Sequence, residues 1–153
     1  MAAFRTVRKI AVSEALFRLM TEGVRLHSNE IMALSSLAEL VEARRRTFLL
    51  SLCRHELATL REHFAAVPSQ GKIAVESRVS GAGADCLAKA ATWLTVELGF
   101  EASVADAVSA LLLDYAVERA AARMLESLGV GANPVEDGAS AGREGPTKVF
   151  PMR

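Results

Sequence analysis

The sequence is short of several things, and each shortage excludes a class of protein. Only two cysteines occur in 153 residues, Cys53 and Cys86, and neither has a second thiol at a metal-binding spacing. That excludes a disulfide-stapled scaffold and a zinc ribbon, and a reduced, cytoplasmic compartment is the expectation. Aromatic residues make up 5% while apolar residues reach 51%, so a core has to be built from Leu, Ala and Val. Such a composition favours packed helices over a β-sandwich. No apolar run approaches the roughly 18 residues of a membrane span, so no membrane is expected as a partner. The start, MAAFRTVRKIAVSEALFRLM, has no continuous apolar stretch of the secretory kind, and Glu14 and Glu22 argue against a transit peptide. An excess of one charge is missing too. Eighteen basic side chains balance 18 acidic ones, so no global field draws the chain to nucleic acid or an anionic surface.

Glycine and proline are absent from Ser28 to Val67. With Ser28 as an N-cap and Pro68 as a stop, that stretch is predicted to be one long central helix. Its apolar stripe, from Ile31 through Leu34, Leu37, Val41 and Phe48 to Leu60, Phe64 and Val67, needs a covering surface, because an amphipathic helix gains little from propensity alone. Residues 4 to 12 are expected to be a basic arm or the first turns of a helix continuing to about His27. Phe4, Val7, Ile10 and Ala11 would then share a helical face. Local charge is uneven: residues 1–70 hold ten basic and seven acidic side chains, residues 71–128 five and eight. No internal repeat is evident. After Leu128 the composition turns rich in Gly and Pro, which predicts a disordered tail, 129–153, ending in the apolar Val149, Phe150 and Met152.

The stretch 71–128 is the most informative. KIAVESRVS alternates, with Ile73, Val75 and Val79 on one face and Lys72, Glu76 and Arg78 on the other, which predicts a strand over about 72–79. A glycine-rich joint, Gly81-Ala82-Gly83, leads into a helical stripe of Leu87, Ala90, Ala91, Leu94 and Leu98, closed by Gly99. Ser103 then caps a second helix carrying Val104, Ala107, Val108, Leu111, Leu112 and Tyr115 on its apolar face.

Strand, helix, Gly-Phe-x-x-Ser turn and helix over residues 72–118 resemble the ribbon-helix-helix family of DNA-binding proteins, most closely in ELGFEASVADAVSALLLDY. The resemblance implies that two chains pair their strands into an antiparallel ribbon that enters the major groove. It implies Lys72, Glu76 and Arg78 as base readers, and Ala102, Ser103 and Val104 as the helix N-terminus that meets a phosphate. It also implies a homodimer. Two departures stand out: the joint SGAGA is longer than the family's tight turn, and the segment is net acidic. The basic residues Arg5, Arg8, Lys9 and Arg44 to Arg46 are the available source of the missing positive charge.

The alternative reading of the same residues is a helical protein-interaction module, an adaptor, inhibitor or structural subunit, in which the leucine stripes are core. Catalysis finds little support. Cys53, His55, Glu56, Glu62 and His63 crowd one stretch, but the two histidines stand eight apart and no HExxH or ExxH spacing aims ligands at one metal. The expectation is therefore a non-enzymatic protein without metal or cofactor. Its fold is expected to be all-α or nearly so, a helical bundle over residues 1–128 in which residues 4–67 form N-terminal helices and one strand pairs with a second chain.

Overall fold

The computed structural model describes residues 5–129, with side chains from Val7 onward. The order of elements is β1 (Arg5–Val12), α1 (Glu14–Ile31), α2 (Leu37–Arg44), α3 (Phe48–Leu52), α4 (Leu57–Ala66), β2 (Ile73–Ser80), α5 (Gly81–Leu98) and α6 (Val104–Ser127). Beyond Gly129, the tail expected to be disordered, with Val149, Phe150 and Met152, lies outside the described residues.

The fold corrects the expectation of a helical bundle with a long central helix and one strand. A two-stranded antiparallel sheet is present, and both strands belong to this chain: β1 pairs with β2 from Arg5↔Ser80 to Val12↔Ile73. KIAVESRVS thus finds its partner within the chain, not in a second one. Residues 5–12 are a strand rather than an arm or helix. Their Thr, Val and Ile favour extended backbone, and a partner strand about 70 residues away supplies the hydrogen bonds, which local spacing does not reveal.

The predicted long helix is broken at three places. Helix α1 continues through Ser28, the residue expected to open the next helix, and stops where Met32 adopts a left-handed conformation, φ 57° and ψ 44°. Serine hydroxyls account for the break: Ser28 Oγ accepts from the Ser35 N–H at 2.9 Å, and Ser36 Oγ caps α2 through the Glu39 N–H at 3.2 Å. These groups compete with the helical ladder for backbone donors. Further breaks fall between Arg44 and Phe48 and between Leu52 and Leu57. The Gly81-Ala82-Gly83 joint is no joint but the first turn of α5, capped by Ser80 Oγ, which accepts from the Gly83 N–H at 2.9 Å.

A structural repeat that the sequence concealed emerges here. Strand, serine cap, 18-residue helix, left-handed C-cap and serine-capped second helix occur twice, as β1-α1-α2 and β2-α5-α6. The matching residues stand 67 positions apart: Ser13 and Ser80, Met32 and Gly99, Ser36 and Ser103. The two first caps share their backbone, with φ −73° and ψ 164° at Ser13 and φ −69° and ψ 164° at Ser80. Burial follows the same spacing in Val12 and Val79, Met20 and Leu87, Gly23 and Ala90, His27 and Leu94, and Val41 and Val108, all buried. The segment 45–71, holding α3 and α4, is the connection that lets one chain build both halves.

Between the halves lies one apolar core, in which Leu16, Leu40, Phe48, Leu52, Leu60, Leu94, Leu111 and Tyr115 are almost wholly enclosed. Two compact units divide the chain, residues 1–117 and 118–153. The ribbon and all the core side chains named above belong to the first. Of the second, only its helical start is described, ending where Gly129 turns to φ 75°.

Candidate nucleic-acid interface

Strand pleating decides what the ribbon offers. Val12 and Val79 are buried, and Arg8, Ile10, Ile73, Val75 and Ser77 are partly covered by the helices, whereas Val7, Lys9, Ala11, Ala74, Glu76 and Arg78 are exposed. Six side chains therefore project from one open face, three per strand, as period-two alternation requires. Their pairing is fixed by the register: Val7 lies opposite Arg78, Lys9 opposite Glu76, and Ala11 opposite Ala74. Lys9 Nζ approaches Glu76 Oε2 to 3.7 Å, an ion pair with both side chains largely in water.

Of the residues expected to read bases, Glu76 and Arg78 stand on this open face, and Lys72 is exposed immediately before β2. Lys9, which the sequence offered only as spare charge, joins them from β1. Arg78 and Glu76 also wall a groove whose other side is the start of α2, from Ser36 to Glu39. Beneath the sheet, the cross-strand neighbours Arg8 and Ser77 line a small enclosed cavity with Leu37, Val41 and Val108; Arg8 Nε and Ser77 Oγ have no hydrogen-bond partner there.

The three residues expected at a phosphate, Ala102, Ser103 and Val104, lie at the turn into α6. Two of their amides already have partners: Ala102 N–H donates to Thr95 Oγ1 at 2.9 Å and Ser103 N–H to Asp106 Oδ2 at 2.8 Å. The Asp106 N–H in turn donates to Ser103 Oγ at 3.2 Å, a reciprocal cap that places a carboxylate at the positive end of the helix.

Arg44, from the arginine cluster, is turned inward. Its Nη2 lies 3.5 Å from Asp114 Oδ2, while Asp114 Oδ1 accepts from Ser51 Oγ at 2.5 Å and sits 2.8 Å from His55 Nε2. Asp114 is buried, so this cluster ties α2, the α3 region and α6 together. Ser51 and His55 are bound to the carboxylate rather than to each other. His63 Nε2 is 2.7 Å from Ser109 Oγ, and Ser109 is 0% exposed. Burial pushes the His63 pKa below the usual imidazole range, which favours the neutral ring. Burial raises the Cys86 thiol, and Cys53 is exposed at the surface. Among the described residues no group of three His, Cys, Asp or Glu side chains is placed to hold a metal. No described helix is long and apolar enough to cross a membrane.

No protein-family model matches this sequence, and no curated protein and no solved structure matches it significantly.

Proposed function

We propose that this chain is a non-enzymatic DNA-binding regulatory or accessory protein that places its β1–β2 ribbon in the major groove. The observation that carries this reading is the ribbon itself: eight antiparallel residue pairs with an open face holding Lys9, Glu76 and Arg78, backed by two similarly built helical hairpins. A two-stranded ribbon fits the major groove, where arginine pairs with guanine O6 and N7 and a carboxylate accepts from the cytosine amino group. Lys72, exposed immediately before β2, is a basic residue suited to a phosphate. Because the Ala102 and Ser103 amides have internal partners, the ribbon rather than the α6 N-terminus carries the affinity.

A second reading draws on an apolar groove walled by Phe17, Met20, Val24, Leu37 and Val75. It would accept the side chains of a helical partner protein, making the chain an interaction module without DNA binding.

Fluorescence anisotropy of a labelled mixed-sequence duplex, titrated at 50 and 200 mM salt, separates the two. Neutralisation of three or four phosphates weakens binding roughly 40- to 150-fold over that range by counterion release. Absence of binding at the lower salt would overturn the DNA reading and leave the protein-interaction module.

A further inference from the structure

We propose that one chain reads a non-palindromic duplex, with base specificity concentrated at one end of the ribbon. This deepens the DNA-binding reading and rests on it. A ribbon made by two identical chains is symmetric, and symmetry forces the same side chains, hence the same bases, onto both half-sites. Here the two strands come from the two halves of a single chain, and their side chains have diverged.

Residues i and i + 67 are equivalent, so the approximate two-fold axis of the ribbon passes between Lys9 and Glu76, which are both equivalent and directly paired. Around that axis Val7 corresponds to Ala74 and Ala11 to Arg78. The register then sets Val7 and Arg78 side by side at one end of the open face and Ala11 and Ala74 at the other. The first end has a guanidinium able to pair with guanine O6 and N7, and an apolar neighbour suited to a thymine methyl. The second end has two methyl groups and no hydrogen-bonding side chain, so it discriminates little beyond thymine contact. At the centre, Lys9 and Glu76 present opposite charges, one suited to guanine and one to cytosine. All six side chains are exposed, so these differences face the groove and not the core.

The test is enrichment of bound duplexes from a random 16-base-pair library by the full chain at 50 mM salt, followed by measurement of protein-to-duplex stoichiometry. The expected outcome is one motif that differs from its own reverse complement, with a G·C pair at one end, bound by a single chain. In Arg78→Ala, preference at that G·C pair falls on the order of tenfold to a hundredfold while the rest of the motif stays. Ala11→Arg gives both ends the same reader, and the motif shifts towards a palindrome with G·C pairs at both ends. A palindromic motif from the unaltered protein, or two chains per duplex, would overturn the proposal. So would salt-dependent binding with no enriched motif, which leaves DNA binding itself standing. Absence of any binding overturns this proposal together with the DNA-binding reading it rests on.

Discussion

Lys9 and Glu76 occupy equivalent positions in the two halves of the chain and are also each other's cross-strand partner, with Nζ and Oε2 3.7 Å apart. Nowhere else on the open face do those two relationships coincide, because only a residue pair on the two-fold axis satisfies both. The pair marks where one strand-helix-helix unit meets its copy. It also places opposite charges at the point where two identical chains would have had to place the same one, and so avoid the repulsion between like charges set directly across a ribbon.

Both side chains are largely exposed, so the ion pair contributes little to stability, in the range of 0 to about 1 kcal/mol. Its effect is on the field at the ribbon. Replacing Glu76 with Gln removes the negative charge that faces Lys9 at the centre of the open face. Affinity for mixed-sequence duplex at 50 mM salt is expected to rise, while urea denaturation shifts little. Weaker binding by Glu76→Gln would indicate that the carboxylate makes a contact the duplex needs.

At Met32 the second half of the chain shows what the first lacks. Gly99 closes α5 at φ 81°, the conformation for which glycine has no steric cost, whereas α1 closes with methionine at φ 57°. The Met32 side chain is 86% exposed and buries almost nothing. Met32→Gly is therefore expected to stabilise the fold by about 1 kcal/mol, the relief of left-handed backbone less the added freedom of the unfolded chain. Thermal unfolding measures it; a lower midpoint would mean that the methionine makes contacts elsewhere.

What could be read from the sequence, and what could not, divides by the range of the forces involved. Gly99 and Ser103 act within a few residues of themselves, so the end of α5 and the start of α6 are visible from spacing and capping residues alone, whereas Gly81-Ala82-Gly83 reads as a joint although Ser80 caps it as the first turn of α5. Strand β1 was hidden because Val7, Ile10 and Ala11 also fit a helical face, and only its pairing with β2 decides between the two periods. The break at Met32 was hidden for a different reason: two serine hydroxyls take backbone donors without any glycine or proline to announce it. The repeat is faint in the sequence, since only eight of 40 positions match between residues 5–44 and 72–111. Those eight include Val12 and Val79, Ser13 and Ser80, Ser36 and Ser103, and Val41 and Val108, which are caps and core. Among the expected ribbon residues, Glu76 and Arg78 followed from alternation in β2, while Lys9 entered the face through the unseen partner strand.

Gly71 is held against the end of β1. A Cβ there would stand 2.3 Å from both the Val12 carbonyl oxygen and the Ser13 Cα, and backbone atoms have no rotamer by which to yield. The same junction carries the Ser13 N–H donating to the Ser69 carbonyl at 3.0 Å and the Ser13 hydroxyl donating to the Pro68 carbonyl. Gly71→Ala must prise the 68–71 segment from the β1–α1 junction, and is expected to cost about 2 kcal/mol or more, as overpacking against rigid surroundings does. Equal denaturation midpoints for Gly71→Ala and the unaltered protein would show that the junction can open.

His63 gives the fold a dependence on pH whose sign follows from burial. Its ring nitrogen Nε2 lies 2.7 Å from the hydroxyl of fully buried Ser109, and desolvation lowers its pKa in the folded state. The unfolded chain, with its imidazole near the usual value of about 6.5, then binds protons more readily than the folded one as pH falls through that value. The stabilising contribution of the neutral ring is fully present above about pH 6.5. It is lost as pH falls from there through the lower folded-state pKa. Denaturant midpoints measured from pH 8 to pH 5 should decline over that range. His63→Gln has an amide to meet Ser109 but nothing to titrate, so its profile should be flatter in the same range even if its stability at pH 8 is lower. Parallel profiles for the two proteins would assign the pH dependence to groups other than His63.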